Sequence, residues 1–166
     1  PPANPGQQVV AIVSNTGPIL HLYQAGLLDL LPTVGNVCTT PAVEDELGQL
    51  LPNWVTPGWL PIRAPTAYAS QSQAWVDMRV IHRSEAEAVA VARELNADWF
   101  LTDDNAARLL AGSIGIEVHG SLAVVLEAAR VGTLTVQRRR SRWRHCKRAR
   151  CGYPPGYSRV QRQHSR

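Results

Sequence analysis

Asp103 and Asp104 are adjacent carboxylates that directly follow the apolar run WFLT at residues 99–102. A short run with few polar groups is typical of a central parallel strand that is covered on both faces. In an open α/β sheet, ligands bind beyond the carboxyl ends of the strands, which is where this pair is expected. Two neighbouring carboxylates repel each other and are costly to desolvate without a positive partner. The pattern therefore predicts either a divalent cation at the pair or a helix N-terminus capped by one of the two aspartates.

Further polar residues fall at the ends of other expected strands and at the starts of helices. Asn15 follows the first β-branched run, and Thr102 and Ser121 follow two later strands. Glu46 lies in the helix after the second strand, and Glu85 opens the helix that precedes WFLT. A carboxylate-rich rim without a paired nucleophile and histidine favours metal-assisted hydrolysis over acyl transfer. The sequence contains neither GxGxxG nor a GxxxxGK motif followed by Ser or Thr, so dinucleotide and P-loop nucleotide binding are unsupported.

The expected secondary-structure elements alternate along the chain. Continuous apolar or β-branched runs predict strands, and apolar positions at helical spacing predict helices. This alternation favours a three-layer α/β/α sandwich with a central parallel sheet. The expected strands cover residues 9–13, 36–39, 99–102 and 116–119, with one more short strand at 59–62, and the expected helices cover residues 18–31 in two pieces, 41–50, 66–78, 85–95, 106–111 and 122–130.

Several side chains are expected to cap these helices. Thr40 stands before a proline at a helix start, and Ser121 precedes the last helix. Ser84, with Glu87 three residues later, matches a capping box. One of residues 14–16 is expected to cap the first helix.

Composition bounds the class of protein. The 166 residues are 45% hydrophobic, which suffices for one domain with a sizeable core, and no apolar run is long enough for a transmembrane helix. The opening PPANPGQQ lacks the basic and apolar regions of a signal peptide, and the cysteine count is odd, so a reducing, cytoplasmic setting is expected. Cys38 is expected to be a small buried residue. His21 is expected to be a packing or surface residue rather than a ligand.

Four segments together resemble a PIN domain, and most closely the prokaryotic branch related to the toxins of VapBC-type toxin–antitoxin pairs. They cover nearly all of residues 9–134 in the expected order, and they are IVSNTGPILHLYQAGLLDLL, CTTPAVEDEL, HRSEAEAVAVARELNADWFLTDDNAAR and GIEVHGSLAVVLEAARVGTL. The resemblance implies a metal-dependent ribonuclease fold, in which acidic side chains at the carboxyl edge of the sheet hold Mg²⁺ or Mn²⁺. It also implies RNA as the substrate, an antitoxin protein as a partner and a homodimer.

The resemblance assigns roles to particular residues. The expected catalytic residues are Asn15, Glu46, Glu85, Asp103 and Asp104. The expected metal ligands among them are Glu85, Asp103 and Asp104. Glu87 is a weaker substitute for the acid that opens the central helix. Thr102 and Ser121 match auxiliary small polar positions beside the acids.

Asn15 departs from the pattern, because the resemblance places an aspartate there. An amide oxygen can still ligate a hard cation or position a water, but one negative charge is lost. Weaker metal binding and slower hydrolysis are expected unless Glu46 and the two aspartates supply enough charge. Two functional hypotheses follow: a metal-dependent endoribonuclease, or a catalytically weakened PIN-like module that binds RNA or a protein.

The C-terminal segment differs in composition from the rest of the chain. Residues 137–166 hold eleven basic residues and no acid, whereas residues 1–136 carry a net charge of −7. This contrast predicts a globular domain with an appended arm. Together with the resemblance, it implies a PIN-like nuclease domain at residues 9–134, an N-terminal tail at 1–8 and a basic, disordered tail at 135–166.

Three interpretations of the basic tail remain open. The first is an RNA-binding arm that contacts phosphates and stacks on bases. The second is a small metal site built from the tail's cysteines and histidines, although their spacing fits no common zinc pattern. The third is a stretch without an evolved role, such as a frameshifted reading of a GC-rich gene. The RNA-binding residues expected under the first interpretation are Arg138, Arg139, Arg140 and Trp143.

Overall fold

Four parallel strands form one sheet within residues 10–134, the part of the chain that the computed structural model describes. Their order across the sheet is β2-β1-β3-β4, so β1 and β3 lie at its centre. Val and Ile dominate the inner part of β1, and β-branched side chains of this kind fit a pleated surface that is packed on both faces. The strands are β1 (Ala11–Ser14), β2 (Asn36–Cys38), β3 (Trp99–Leu101) and β4 (Val118–His119).

Helices connect these strands and cover both faces of the sheet. A short 3-10 helix at Leu28–Leu30 runs directly into the second helix. Two of the helices, α4 and α5, lie together in the long connection between β2 and β3. Within the described residues the helices are α1 (Thr16–Gln24), α2 (Leu31–Val34), α3 (Pro41–Leu50), α4 (Ala69–Asp77), α5 (Arg83–Glu94), α6 (Asn105–Ser113) and α7 (Ser121–Arg130).

Successive strand residues point to opposite faces of the sheet and so build two hydrophobic cores. Ile12 and Leu101 belong to the core shared with α1, α2, α3 and α7. Val13 and Phe100 belong to the core shared with α4, α5 and α6. The sheet is thus the middle layer of an α/β/α sandwich, which confirms the fold class expected from the sequence.

The strand order places a crevice between the carboxyl ends of β1 and β3. The chain leaves β1 for β2 on one side, whereas β3 and β4 lie on the other side. Connections from neighbouring strands therefore diverge at this point, which is where open parallel sheets bind ligands. Val13 is in register with Phe100, and Ser14 is in register with Leu101, so the two strands end side by side.

The expected capping box at the start of α5 is wrong. The helix begins at Arg83, its N-cap is His82, and no side chain caps it within the described chain. Glu87 instead accepts hydrogen bonds from the backbone N–H of Ala42, at 3.1 Å, and from Nε of Arg83, at 2.8 Å. Because α3 packs closely against α5, the free N–H groups at the start of α3 are the nearer donors.

Other element boundaries shift from those expected. The segment at residues 59–62 contributes an isolated bridge between Thr39 and Ile62 rather than a strand. The helix expected at 66–78 is shorter, at Ala69–Asp77, and the last strand is shorter, at Val118–His119. Val9, expected in the first strand, lies outside the described residues.

Several local predictions are confirmed. The Thr40 side chain accepts a hydrogen bond from the N–H of Val43 and caps α3. Asn15 caps α1 through its side-chain oxygen, so it is the cap among residues 14–16. Cys38 is buried, with 5% of its surface exposed. Among the residues that the structure describes, no helix is both long and apolar enough to span a membrane.

Candidate functional site

Asn15 joins the carboxyl ends of the two central strands. Its backbone N–H donates to the carbonyl of Leu101 at 2.9 Å, and its side-chain Nδ2 donates to the hydroxyl of Thr102 at 3.3 Å. Its Oδ1 accepts from the N–H of Thr16 at 2.7 Å. Asn15 is only 2% exposed. The side chain that stands at the expected first acid position is therefore engaged at both of its polar atoms and buried in the crevice.

Asp104 caps the helix that follows β3. Its Oδ1 accepts from the N–H of Ala107 at 2.8 Å, at the start of α6. Its own N–H donates to the hydroxyl of Thr102 at 3.1 Å, which fixes the backbone at the strand end. A carboxylate is favoured here because free N–H groups and the helix dipole give a helix N-terminus partial positive charge. The cap occupies Oδ1 and leaves Oδ2 for a further ligand.

Asp103 caps a different helix. Its Oδ1 accepts from the N–H of Ser121 at 2.9 Å, the first residue of α7. Its Oδ2 lies 2.8 Å from Nδ1 of His21, an exposed residue of α1. Gly120 leaves room for this arrangement, because a Cβ atom there would lie 2.7 Å from Asp103 Oδ1. The two adjacent aspartates thus separate their charges by facing two different helix N-termini.

The prediction that the Ser121 side chain caps α7 is wrong, because Asp103 caps this helix instead. Gly120 occupies the N-cap position of α7, and within the described chain no side chain at that position bonds the helix. The carboxylate of Asp103 fills this role from the neighbouring strand end, and Ser121 donates to it through its backbone N–H. Ser121 therefore lies beside the acidic rim, with its N–H rather than its hydroxyl as the group in contact.

Glu46 reaches the crevice from α3. Its Oε2 accepts from the hydroxyl of Thr16 at 2.6 Å. Thr16 is buried and adjacent to Asn15, so this bond ties Glu46 to the carboxyl end of β1. Its Oε1 is left for a further ligand.

Glu85 carries a buried oxygen without a partner. Its Oε2 is the buried side-chain N or O atom that lacks a hydrogen-bond partner within the described residues. The helix α5 leads into the amino end of β3, so in a layered α/β fold its first turn lies at the carboxyl edge of the sheet. Burying an unpaired carboxylate oxygen is costly, so a cation or a proton donor at this position would lower the free energy of the site.

Glu87, the weaker alternative to Glu85, is in a different state. Both of its oxygens accept hydrogen bonds, one from Arg83 and one from the backbone of α3. It holds two helices together and keeps only 12% of its side chain exposed. Because both oxygens of Glu87 are already bonded and one oxygen of Glu85 is not, Glu85 is the better candidate ligand of the two.

The hydrogen bonds connect some of the expected site residues and leave others apart. Thr102 joins Asn15 to Asp104, and Asn15 is bonded to Thr16, which bonds Glu46. Asp103 belongs to the same strand end but faces α1 and α7. Glu85 is placed at this edge by the topology of α5.

The donor set fits a divalent cation with few protein ligands. Among the described residues, no group of three or more His, Cys, Asp or Glu side chains lies close enough to hold an ion. Mg²⁺ commonly takes one or two carboxylates and completes its octahedron with waters and substrate phosphates. The unpartnered oxygen of Glu85 fits such a site, as does the free Oδ2 of Asp104, whereas both oxygens of Asp103 already accept hydrogen bonds.

Sequence reasoning assigned no role at this edge to two residues that the structure places there, His21 and Arg108. His21 bonds Asp103, which agrees with its expected surface position but gives it a specific partner. Arg108 donates from Nη2 to the carbonyl of Thr102 at 2.9 Å. The sequence could have indicated Arg108 through its spacing, because a residue four positions after Asp104 lies on the same face of the helix as that aspartate.

The residues expected to bind RNA in the basic tail lie outside the described part of the chain. They are Arg138, Arg139, Arg140 and Trp143.

The fold is a parallel α/β/α sandwich with acidic side chains at the carboxyl end of a central strand, next to the switch in strand order. A family model described as DUF3368, a PIN domain, matches residues 11–141. This match covers more than half of the chain, so the protein belongs to the PIN domain family. No curated protein matches the chain. The matched region includes every expected site residue outside the tail and extends past residue 134, where the sequence predicted the domain to end.

Proposed function

We propose that this protein is a metal-dependent endoribonuclease that uses Mg²⁺ or Mn²⁺, and that it is the toxin of a toxin–antitoxin pair. PIN domains generally use divalent metal ions, and their fold is associated with nuclease-type activity. The observation that carries the proposal is the buried, unpartnered Oε2 of Glu85. A bound cation would supply the partner that this oxygen lacks, and the carboxyl edge of the sheet is where the phosphate of an RNA would reach it.

Each rim residue has a role in this proposal. Glu85 and Asp104 would hold the cation, which when bound would supply Lewis-acid chemistry for phosphodiester hydrolysis. Glu46 orients the attacking water through its free oxygen. Asn15 and Thr102 hold the strand ends in place through their mutual hydrogen bond. Asp103, also expected as a ligand, fixes the start of α7 through Ser121.

The finer features of the proposal come from the resemblance alone. They are an RNA substrate, a small antitoxin protein as partner and a homodimeric assembly. The proposed cytoplasmic location rests instead on the odd number of cysteines. The domain is proposed to span residues 9–134, with the basic tail beyond it as a separate segment.

A catalytically weakened RNA-binding or protein-binding module is the second candidate. The engagement of Asn15, Asp103 and Asp104 in hydrogen bonds favours it, because these side chains already have partners. Asn15 also lacks the charge of an aspartate, which lowers the electrostatic attraction for a cation.

The test is Mn²⁺ binding to the full-length chain by calorimetry, with Glu85→Gln beside the parent. We expect the substitution to weaken Mn²⁺ binding about tenfold or more, since removing one partner of a bound charge costs several kcal/mol. Glu117→Gln is the matched control, because Glu117 is exposed and precedes the amino end of β4. Absence of Mn²⁺ binding by the parent at millimolar concentration would contradict the enzyme proposal and favour the binding module.

Asn15→Asp is the gain-of-function arm of this test. An aspartate keeps the Oδ1 that accepts from Thr16, and the Thr102 hydroxyl can donate to the second oxygen. We expect stronger Mn²⁺ binding and faster cleavage of single-stranded RNA in this variant. Cleavage that persists in EDTA, or that is equal in Glu85→Gln, would contradict the proposed site.

A further inference from the structure

The guanidinium of Arg108 is held at the carboxyl edge of the sheet. Its Nη2 donates to the carbonyl of Thr102 at 2.9 Å, and Thr102 is the buried residue that directly follows β3. The residue is partly buried and lies one helical turn after Asp104 on α6. The contact with Thr102 therefore fixes the position of a long side chain that would otherwise be mobile in solvent.

Arg108 forms no ion pair among the described residues, and most of its N–H donors are unused. Ion pairs within the described residues involve Arg83, Arg130, His21 and His119, and none of them involves Arg108. A guanidinium has five N–H donors, and the bond to Thr102 uses one of them. A permanent positive charge thus lies at the rim with a donor set that the protein leaves largely unused.

Gly120 lets this guanidinium and the Asp103 carboxylate pack close to the backbone after β4. A Cβ atom at Gly120 would lie 3.3 Å from Nη2 of Arg108 and 2.7 Å from Oδ1 of Asp103. Any larger residue would therefore crowd both groups. The small residue at position 120 is therefore what allows Arg108 to hold its position at the end of β3, with part of its side chain still exposed.

We propose that Arg108 binds a backbone phosphate of single-stranded RNA and thereby positions the substrate at the acidic rim. The proposal rests on the proposed function and adds a substrate-binding residue to it. A planar guanidinium donates two parallel hydrogen bonds to phosphate oxygens, which a lysine cannot do in the same geometry. A positive group is also needed at a carboxylate-rich rim, because RNA phosphates would otherwise be repelled by the acids.

The experiment measures binding of a five-nucleotide single-stranded RNA to the full-length protein by fluorescence anisotropy. EDTA is present so that the RNA is not cleaved, and binding is measured across a range of salt concentrations. The variants are Arg108→Gln, Arg108→Lys and the control Arg130→Gln. The control removes the same charge from the far end of α7, where the side chain is 72% exposed.

We expect Arg108→Gln to weaken RNA binding about five- to tenfold. The plot of the logarithm of the association constant against the logarithm of the salt concentration should become less steep by about 0.7, which is the change for one lost phosphate contact with a single strand. Arg108→Lys is expected to keep the parental salt slope but to bind about threefold more weakly, because the charge remains and the fork is lost. The control is expected to stay within about twofold of the parent.

Three outcomes would overturn the inference: equal binding by Arg108→Gln and Arg130→Gln, parental affinity in Arg108→Lys, or no RNA binding by the parent.

Thermal unfolding of each variant separates lost binding from lost folding, and Arg108→Lys alone decides the matter where the glutamine variant does not fold. Binding that depends on Arg108 without any cleavage in Mn²⁺ would support this inference and contradict the proposed enzyme. Metal-dependent cleavage with equal KM in Arg108→Gln and Arg130→Gln would contradict only this inference.

Discussion

At the scale of single residues, the acidic doublet after β3 is stabilised by helix N-termini. Adjacent carboxylates repel each other, and a shared cation is one way to offset that repulsion. Here Asp104 faces the start of α6, while Asp103 faces the start of α7 and His21. A helix N-terminus carries roughly half a positive charge, so each aspartate has a favourable electrostatic partner of its own. The doublet by itself therefore does not require a metal, whereas Glu85 carries the buried oxygen that has no hydrogen-bond partner among the described residues.

Gly120→Ala tests the cap that Asp103 provides. The new Cβ would lie 2.7 Å from Asp103 Oδ1, so the carboxylate must rotate and lose its bond to Ser121. We expect the free energy of unfolding to fall by about 1 kcal/mol, the usual contribution of a helix cap. Urea denaturation of parent and variant measures this difference.

Gly48→Ala is the matched control for that substitution. Gly48 lies inside α3, and apart from its chain neighbours and the nearby backbone of that helix no described atom falls within 4 Å of a Cβ placed there. Alanine is the better helix former, so this variant is expected to gain about 0.5–1 kcal/mol. A neutral or stabilising Gly120→Ala would mean that the Asp103 cap contributes nothing to stability.

At the scale of elements, α5 organises the connections around it through carboxylates. Glu87 in its first half accepts from the N–H of Ala42 at the start of α3. Glu94 at its end accepts from the N–H groups of Thr66 and Tyr68, at 2.7 and 2.9 Å, just before α4 begins. Together with Asp103 and α7, these are three helix starts that are stabilised by a carboxylate from another element. Such contacts fix how helices sit on the sheet as well as satisfying their free N–H groups.

Glu94→Gln tests this arrangement and predicts a dependence on pH. Burial alone would raise the pKa of Glu94, but the backbone N–H groups of Tyr68 and Thr66 and the Thr66 hydroxyl outweigh it and lower the pKa below its ordinary value. A pKa that falls on folding adds stability above the unfolded-state pKa, and this stability is lost as pH falls through the folded-state pKa. The parent should therefore exceed the variant by about 0.5–1 kcal/mol near neutral pH, since these bonds are screened by solvent.

Urea denaturation at two pH values checks this expectation. The difference should shrink at acidic pH, as the pH falls through the folded-state pKa of Glu94 and its carboxylate becomes protonated in the parent as well. Glu117→Gln is the control, because its carboxylate bonds the ring of His119 rather than a helix start. A difference between parent and Glu94→Gln that is the same at both pH values would contradict a role for the ionised carboxylate.

At the scale of the whole molecule, the sheet separates two cores that form only when all its layers assemble. Cys38 on β2 belongs to the core with α4, α5 and α6. Burial raises the pKa of its thiol, and the charge of Arg63 opposes this only in part. A buried thiol of raised pKa is a poor nucleophile, so Cys38 reports on the opening of this core.

We expect Cys38 to react with a thiol reagent only through unfolding. In a variant with Cys146→Ser and Cys151→Ser, the reaction in native buffer should be slower than in denaturant by roughly 100-fold or more. Absorbance of the released thiolate measures both rates. Equal rates would mean that β2 opens independently of the rest of the sheet.

Local sequence patterns predicted most of the elements and the strand ends at which the candidate site residues lie. Alternating apolar runs and helical periodicities predicted the parallel sandwich because burial on both faces of a sheet demands them. The same reasoning placed Asn15, Thr102 and the two aspartates at strand ends, since the carboxyl ends of parallel strands share one edge. The burial of Cys38 and the cap at Thr40 also depend on neighbours in the sequence, and both are found.

Only the tertiary structure decided which polar groups form hydrogen bonds with each other. His21 and Asp103 are 82 residues apart, Ala42 and Glu87 are 45 apart, and Thr16 and Glu46 are 30 apart. Periodicity assigns a residue to a face, but a hydrogen bond needs its two atoms within about 3 Å and aligned. For that reason the sequence favoured a capping box for Glu87, whereas packing of α3 against α5 gave its carboxylate a nearer donor.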